Sequence, residues 1–452
     1  MRKRNVPRFI KLMGVLGILS MIPMSGFAQY LRTSYFMDGV SSRMWLNPAM
    51  RPTHGFVDIP VVGALNVSAS SNALGVKDVV DLFDSDEDFY KNDKLYNRLK
   101  NSNRLNVNVN TDIFSLGFYK GKGFWTVNLG LRSDINASIP KTMFEYAREF
   151  DNEDWMNGFM GADYLMENQT LNANVYTEIG VGYSRSIGDK LVVGGKAKVL
   201  LGLANIDMSI DKLHIKENGK SSEINTHGRL KVAMKGLSVE EEYDSEIGSD
   251  VVDDVDFDKF GLAGYGMAFD LGATFKPIEN LTLSASVLDL GFISWSKNSV
   301  TTATADNEIY YDYGDTFKSL FNGDMIDFSL PKYEIDDESK SYKTTLASTM
   351  VLGAEYAFLN NKLSAGVLST TRFSKPKTIS ELTFSANYRP KSWLATTLSY
   401  SVIQSEMKTF GLAVKVGPLF IGTDYMFFGD SSDSKSVNAY LGLSIPLGKG
   451  KN

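Results

Sequence analysis

The feature of this sequence that most restricts its fold is an alternation of large apolar residues with small or polar ones. Across 267–275 the odd positions are Met, Phe, Leu, Ala and Phe, and the even positions are Ala, Asp, Gly and Thr. The same period of two recurs at 125–132, 382–389, 410–416 and 437–447. Because successive side chains of a strand point to opposite faces, this period predicts an all-β chain whose strands have one apolar face.

The placement of turns predicts how these strands are arranged. Tight polar turns are expected at 120–123, 188–190, 277–280, 360–362, 390–392 and 417–418, and long connections at 71–104, 138–171, 207–260 and 297–342. Fourteen strands fit between them, near 61–70, 105–119, 124–137, 172–186, 191–206, 262–276, 281–296, 343–358, 362–374, 379–389, 393–403, 408–416, 419–428 and 436–447. All tight turns then fall at one end, which is typical of bacterial outer-membrane proteins. The sequence therefore predicts a transmembrane antiparallel β-barrel over 61–447.

Two alternatives remain open, one for the fold class and one for the path of residues 207–260. A soluble β-sandwich would show the same local alternation, although not the same distribution of turn lengths. The strand count also requires 207–260 to form an extracellular extension, even though 226–237 resembles a strand. If 226–237 crossed the membrane, the turn at 277–280 would change sides. We therefore predict that 207–243 is a hairpin projecting above the membrane.

The first 28 residues predict export. Five basic residues and no acidic one occur here, the apolar run Leu12–Ile22 ends at Pro23, and small residues precede a cleavage point after Ala28. An uncleaved anchor is the alternative, but a helix needs about 20 apolar residues to span a bilayer. We therefore expect a signal peptide at 1–28 and a mature protein in the outer membrane of a Gram-negative bacterium, in contact with its lipid.

Composition argues against several other classes of protein. The chain has no Cys and only 3 His, which excludes disulfides and thiolate chemistry and leaves little for a metal site. With 53 acidic and 47 basic residues it lacks the excess of positive charge typical of nucleic-acid binders. We find no nucleophile motif and expect neither an enzyme nor a bound cofactor.

An acidic run at 240–258 contains ten Asp or Glu residues and no basic one. Asp254, Asp256 and Asp258 alternate as in a calcium loop, but Lys259 and Tyr265 stand where that loop needs Gly and Glu. We predict a solvated acidic loop and no metal site.

Charged residues on the polar side of the predicted strands indicate what lies in the lumen. A charge facing lipid at the midplane of the bilayer would cost about 2–4 kcal/mol, so these side chains are expected to face inward. They could pair across the lumen and with a plug, or they could line a route of permeation. The nine predicted lumen-facing charges are Arg132, Glu178, Lys196, Lys198, Asp270, Glu355, Arg389, Lys415 and Asp424.

The segment Met-Trp-Leu-Asn-Pro-Ala-Met at 44–50 resembles the Asn-Pro-Ala segment near the start of the long-chain fatty-acid transporter family. That family often has Gly where this chain has Met50. Two later segments, 268–273 and 287–295, are similar to strands of that superfamily. They are more similar to a branch of barrels related to the type IX secretion accessory barrel.

The resemblance implies a fourteen-stranded outer-membrane barrel whose N-terminal segment, 29–60, plugs the lumen. The plug and ligand region would be Asn47, Pro48, Ala49 and Met50. From the residues alone, Asn before Pro disfavours helix and predicts a rigid corner, which could equally be an ordinary surface turn.

Two functions remain open at this point. The first is passage or binding of a small hydrophobic molecule, captured in an apolar extracellular pocket and released when the plug shifts. It predicts an apolar pocket beside residues 47–50. The second is a non-enzymatic scaffold or secretion accessory that holds other outer-membrane or secreted proteins through its extracellular loops. It predicts a blocked lumen and an ordered platform of loops.

Overall fold

A computed structural model describes residues 31–59, 64–75, 93–150, 161, 163–217, 221–245, 247–312, 331–336, 338–374, 378–403, 409–425 and 436–449. The predicted signal peptide and its cleavage point after Ala28 lie outside the described residues.

Strands dominate the described ranges. They are β1 (His54–Asp58), β2 (Ala64–Ser71), β3 (Ser102–Lys120), β4 (Gly123–Pro140), β5 (Asp163–Ile187), β6 (Leu191–Glu217), β7 (Ser221–Met234), β8 (Leu237–Asp244), β9 (Ser249–Phe257), β10 (Gly264–Ile278), β11 (Leu281–Trp295), β12 (Val300–Asp312), β13 (Glu334–Ile335), β14 (Tyr342–Thr345), β15 (Ser348–Phe358), β16 (Leu363–Phe373), β17 (Ile379–Lys391), β18 (Leu394–Ile403), β19 (Thr409–Val416), β20 (Leu419–Thr423) and β21 (Ser436–Lys449).

Helices are few and short. They are α1 (Asp93–Arg98), α2 (Lys141–Phe150) and the 3-10 turns Ser41–Trp45 and Lys297–Ser299. No helix within the described ranges is long and apolar enough to cross a membrane.

Fourteen strand positions in the described residues form a closed antiparallel barrel. The ring runs in chain order from β1 and β2 through β3–β6, β10, β11, β14 and β15, and β16–β20 to β21, while β7–β9, β12 and β13 lie outside it. β21 closes the ring by pairing with both β1 and β2. β1 and β2 share the first position because both also pair with β3, and β14 and β15 share another because both pair with β11. The prediction of a fourteen-stranded barrel is confirmed, and each predicted strand overlaps one of these positions.

The two faces of the barrel wall have opposite chemistry. On β10 the large apolar side chains point outward, with Met267 51%, Phe269 49% and Leu271 59% exposed, whereas Asp270 between them is only 2% exposed. Outward apolar side chains recur around the ring, among them Val199, Leu352, Phe384, Phe410 and Ile421. A surface of this kind is stable in lipid, and it identifies the sheet as a transmembrane barrel.

One side of the barrel continues into a taller sheet. Residues 191–202 of β6 pair with β10, whereas residues 204–217 of the same strand pair with β7. β7 pairs in turn with β12, and β8 and β9 form a separate hairpin. The strand-like segment at 226–237 therefore contributes to a sheet beyond the barrel wall. This sheet lies at the barrel end opposite the tight turns, and its extracellular position stays a prediction.

Candidate functional site

The N-terminal segment, residues 31–50, lies inside the barrel. Tyr35 and Asn47 have no exposed surface, and Met37 is 1% exposed. Its apolar residues pack in two clusters against inward-facing wall residues. One cluster contains Leu31, Met37, Val40, Ala395, Ala413, Phe420 and Tyr440; the other contains Tyr35, Phe36, Leu46, Met50, Leu288, Val351 and Leu368. The segment therefore fills much of the lumen and is in contact with strands all round it.

The corner at Asn47, Pro48 and Ala49 is fixed to the wall. Oδ1 of Asn47 accepts a hydrogen bond of 2.9 Å from the backbone N–H of Ala49, which closes the turn. Its Nδ2 donates to the carbonyl oxygens of Ala273 on β10 and Ala285 on β11, each at 3.3 Å. The Ser286 hydroxyl also donates to the carbonyl oxygen of Leu46. The corner thus lies against the inner face of two neighbouring strands rather than at the protein surface.

Small residues in the wall make room for this corner. A β-carbon added to Gly272 would lie 2.1 Å from Oδ1 of Asn47, and one added to Gly194 would lie 2.6 Å from the carbonyl oxygen of Pro48. A β-carbon essentially never lies this close to an atom to which it is not covalently bonded, so both positions require glycine while the segment is docked as observed.

Arg32 anchors the start of the segment. Its guanidinium forms ion pairs with Glu381 on β17 and with Asp424, and stands 5.0 Å from the centre of the Tyr425 ring. The backbone N–H groups of Arg32 and Thr33 donate to the Asp424 carboxylate at 3.1 and 2.7 Å. Glu381 is 4% exposed and Asp424 2%, so this anchor holds opposite charges together away from solvent.

A second anchor surrounds Asp38. Its carboxylate lies 2.6 Å from Nη1 of Arg43 in the same segment and 3.1 Å from Nη1 of Arg389 on β17. The two guanidinium groups balance the charge of this carboxylate and hold it in place. Arg389 also pairs with Glu355 at 2.8 Å, and Lys415 donates to the carbonyl oxygen of Asp38 at 3.3 Å.

Trp45 connects the segment to a third group of charges. Its indole N–H donates to Asp112 on β3 at 2.9 Å, and the Arg132 guanidinium stands 5.0 Å from the centre of its ring. Arg132 pairs with Asp112 at 2.8 Å and with Glu178 at 3.2 Å. The aromatic side chain is therefore held by one hydrogen bond and one cation–π contact.

The charges around Glu178 form one continuous network. Glu178 pairs with Lys196 at 2.7 Å and with Lys198 at 3.8 Å. Lys198 also pairs with Asp270 and with Asp289, each at 2.7 Å. Each cation has at least one carboxylate partner, which is required because an unpaired charge away from water is very costly.

Asp289 reaches this network through an irregularity in β11. The pairing of β10 with β11 shifts between Phe269 and Leu271, and Asp289 has a φ of 58°, in the left-handed region. The bulge turns the Asp289 carboxylate toward Lys198. Bulges of this kind often occur beside functional sites.

Between the segment and the wall lies a cavity of about 110 Å³, which we call the chamber. Its apolar lining consists of Leu31, Trp45 and Leu46 of the segment and of Leu288 and Leu346 of the wall. Its polar lining consists of the network around Glu178 and of Asn66, Asn108, Asn110 and Asn174. Asp134 on β4 and Arg372 on β16 also line it, and they form an ion pair between nearly opposite sides of the barrel.

All nine predicted lumen-facing charges point inward in the structure. Arg389, Lys415 and Asp424 bond the N-terminal segment directly, and Arg132 contacts Trp45. Glu178, Lys196, Lys198 and Asp270 belong to one network, and Glu355 pairs with Arg389. The predicted ligand region, Asn47, Pro48, Ala49 and Met50, is buried against the wall and does not line the chamber, whereas the preceding Trp45 and Leu46 do.

Several functional residues were not predicted from the sequence. Glu381 lies on the polar side of its strand, one step beyond Thr383 in the same alternation, and extending the pattern would have found it. Asp112 continues the alternation of Asn106, Asn108 and Asn110. Asp289 lies on a bulge, which shifts the alternation and hides its direction. Arg32, Asp38 and Arg43 belong to an irregular segment without a pattern.

No group of three His, Asp or Glu side chains in the described part of the chain could hold a metal ion. His214 pairs with Asp163 and His227 with Asp306, both in the sheet beyond the barrel. The acidic run at 240–258 lies largely on β8 and β9.

Several solved structures are similar to this chain in fold. The toluene transporter TbuX of Ralstonia pickettii is 8% identical, with 92% of this chain and 93% of that chain covered and a TM-score of 0.44. The toluene transporter TodX of Pseudomonas putida is 9% identical, with 93% of each chain covered and a TM-score of 0.39. A FadL homologue of Pseudomonas aeruginosa is 9% identical, with 91% and 90% covered and a TM-score of 0.35. These identities are too low for a substrate to be carried over to this chain.

The branch related to the type IX secretion accessory barrel stays a prediction. No curated protein matches the sequence. The model of a family of unknown function, DUF5723, matches residues 48–424, and the chain belongs to that family.

Proposed function

We propose that this protein is an outer-membrane barrel that passes a small, largely hydrophobic molecule when its N-terminal segment shifts. The observation that carries the proposal is the chamber, because residues of the segment and of the wall line it together. A movement of the segment would therefore change the size of the chamber and its connection to the barrel ends. A closed barrel with an apolar outer face and a predicted signal peptide supports placement in the outer membrane.

The contacts of the segment suit a plug that can undock. Its three anchors at Arg32, Asp38 and Trp45 are ion pairs and hydrogen bonds, and water can replace these when the segment moves. A hydrogen bond to a charged group contributes about 1.5–3 kcal/mol net, so together the anchors hold the segment docked until water or a ligand replaces their contacts. Gly194 and Gly272, which face the corner at Asn47 and Pro48, have no side chains that would obstruct movement of this corner along the wall.

The chamber is not the wholly apolar pocket that transport of a hydrocarbon would favour. It lies beside Trp45 and Leu46, and much of its lining consists of paired charges and amides. A molecule with an apolar body and one polar group fits such a chamber better than a pure hydrocarbon. We therefore propose a substrate that is largely hydrophobic and carries one polar group.

One observation favours the second function, an outer-membrane scaffold. β6, β7 and β12 form an ordered sheet beyond the barrel, and the β8–β9 hairpin beside it exposes Glu240, Glu241 and Glu242. Such a platform could hold other outer-membrane or secreted proteins. It is compatible with transport, and the two functions differ in whether the segment has to move.

A disulfide that locks the segment tests the proposal. The hydroxyl oxygens of Thr33 in the segment and Ser399 on β18 are 2.7 Å apart, so sulfur atoms at both positions would be close enough to bond. The chain has no native Cys, so the variant T33C/S399C can form only this pair. The measurement is the rate at which intact cells producing the protein take up labelled phenol, with cells lacking the protein as background.

We expect the oxidised double variant to lose uptake above background and to regain it after reduction. The single variants T33C and S399C serve as controls and should transport in both conditions. Transport by the fully oxidised double variant would show that the segment need not move. Absence of transport by every form, including the unaltered protein, would leave the scaffold function.

A further inference from the structure

The outer face of β3, β4 and β5 carries three aromatic side chains in one row near the tight turns. Phe118 pairs with Trp125 across β3 and β4, and Trp125 pairs with Tyr183 across β4 and β5. All three are exposed, and the ring centres of Trp125 and Tyr183 are 4.7 Å apart. Aromatic side chains concentrate where the apolar part of a bilayer meets the headgroups, so this row indicates the depth of the headgroups at this part of the wall.

Two cations occupy the next row toward the turns. Lys120 pairs with Gly123, and Gly123 pairs with Arg185, so the three residues lie side by side on the same outer face. The side chains of Lys120 and Arg185 are exposed. Neighbouring strands are about 4.8 Å apart, which places the backbones of the two cationic residues about 10 Å apart. Their long side chains can therefore reach one anion between them.

Gly123 allows a hydroxyl group to enter the space between the cations. A β-carbon added to Gly123 would lie 2.4 Å from the ring of Tyr183 and 2.8 Å from its hydroxyl oxygen. The Tyr183 side chain thus crosses the place that a side chain at position 123 would take. Its hydroxyl group lies in the row of Lys120 and Arg185, and these three side chains offer an ammonium, a hydroxyl and a guanidinium donor.

The charges around this row favour an anionic ligand. Lys122, in the turn between β3 and β4, adds another exposed positive charge. Within 113–133 and 179–193 the sequence contains one acidic residue, Asp189, and Lys190 follows it directly. Within the described part of the chain neither Lys120 nor Arg185 has a carboxylate partner, so both charges are available to a ligand.

The surface on the other side of the aromatic row suits acyl chains. Leu116, Val127 and Val181 pair across the three strands and form the next row away from the turns. Cations, aromatic rings and aliphatic side chains therefore follow one another along the wall. A phospholipid presents its phosphate group, its glycerol group and its acyl chains in the same order.

We infer that Lys120, Tyr183 and Arg185 bind the phosphate group of an anionic phospholipid whose acyl chains lie along Phe118 and Trp125. The oxygens of the phosphate group accept hydrogen bonds from all three donors, and two of these bonds are charge-assisted. A zwitterionic lipid would bring its own cation close to Lys120 and Arg185, which makes it the weaker ligand. This lipid site lies on the outside of the barrel, so the inference is independent of passage through the lumen.

The test measures which lipid lies beside Trp125. The purified full-length protein is placed in nanodiscs of phosphatidylcholine with a small fraction of brominated phosphatidylglycerol or brominated phosphatidylcholine, since bromine quenches the fluorescence of tryptophan in contact with it. The chain has 5 Trp, and the part of the quenching that Trp125→Phe removes belongs to the lipid site. With two cations, we expect phosphatidylglycerol to be enriched about tenfold over phosphatidylcholine. Equal quenching by the two lipids would overturn the inference.

A variant without the two cations provides the second arm. Lys120→Gln with Arg185→Gln should abolish the enrichment and keep the melting temperature of the unaltered protein, because both side chains are exposed. Lys391→Gln is the matched control, since it removes a cation that lies 5.6 Å from the ring of the exposed Trp393 near another tight turn. It should leave the enrichment unchanged. Enrichment that persists in K120Q/R185Q would show attraction by overall charge and would overturn the site.

Tyr183→Phe tests the hydroxyl group alone. It keeps the aromatic row, and we expect it to reduce the enrichment of phosphatidylglycerol severalfold without changing the quenching by phosphatidylcholine. An unchanged enrichment would remove Tyr183 from the lipid site and contradict the role of Gly123.

Inorganic phosphate distinguishes a lipid from a free anion. Added at constant ionic strength, it should not displace brominated phosphatidylglycerol, because it has no acyl chain to contact the aromatic row. Displacement by inorganic phosphate would show a site for free phosphate and would overturn the assignment to a lipid.

Discussion

The side-chain oxygen of Asn47 occupies the space in which any residue larger than glycine would place its β-carbon at position 272. The separation would be 2.1 Å, with Cδ of Pro48 at 2.9 Å. Asn47 cannot retreat easily, because its amide also bonds the carbonyl oxygens of Ala273 and Ala285. The docking of the segment and the identity of this wall residue are therefore coupled.

We expect Gly272→Ala to loosen the segment while leaving the barrel intact. Overpacking costs about 1–3 kcal/mol, and here undocking of the corner relieves it. Limited proteolysis of the purified protein should cut near the N terminus faster, and uptake by cells should rise. Gly195→Ala is the control, since its β-carbon would have no neighbour closer than 3.6 Å. Equal protease resistance of G272A and G195A would contradict the coupling.

Arg32 is predicted to hold the start of the segment through charge. Arg32→Met leaves Glu381 and Asp424 close together in a buried site without a cation. Removing one partner of a buried ion pair typically costs about 3–5 kcal/mol. We expect a lower free energy of unfolding in urea and faster proteolysis of the segment.

A double-mutant cycle separates the charge effect from lost packing. Glu381→Gln in the Arg32→Met background should restore part of the lost stability, because it removes one uncompensated charge. If the two substitutions were additive in the unfolding free energy, Arg32 and Glu381 would not be coupled and this anchor would be misassigned.

The sequence predicted the barrel well because a period of two and the turn lengths are local properties. The alternation at 267–275 determined which side of β10 faces lipid, and the same reasoning placed Asp270 and Lys198 inside. It could not predict that Asp289 also faces Lys198, because a bulge shifts the alternation at that point. It could not pair Arg32 with Glu381, since residues 349 positions apart in an irregular segment and a strand share no local pattern.

The ion pair of Arg372 with Asp134 is predicted to restrict access to the chamber. Their side chains are only 12% and 18% exposed, so loss of Arg372 would leave a largely buried carboxylate without its partner. Arg372→Ala should therefore lower the unfolding free energy by about 3 kcal/mol, and in the folded protein it should raise the rate of phenol uptake severalfold. Lys276→Ala, which removes an exposed cation near a tight turn, serves as the control. Unchanged uptake in R372A would exclude a gating role for this pair.

The conformation of Asp289 allows its charge and its backbone to be tested separately. Asp289 has a φ of 58°, which Asn tolerates but which destabilises residues such as Ala by about 1–2 kcal/mol. Its carboxylate pairs with Lys198 at 2.7 Å. We expect Asp289→Asn to lose only the charge pairing, and Asp289→Ala to lose about 1 kcal/mol more. The Asp289→Gly variant should have as little backbone strain as the Asp289→Asn variant, although it lacks the side chain. Urea unfolding of the three variants measures these differences, and an Ala variant as stable as the Asn variant would show that the bulge relaxes and does not hold the carboxylate in place.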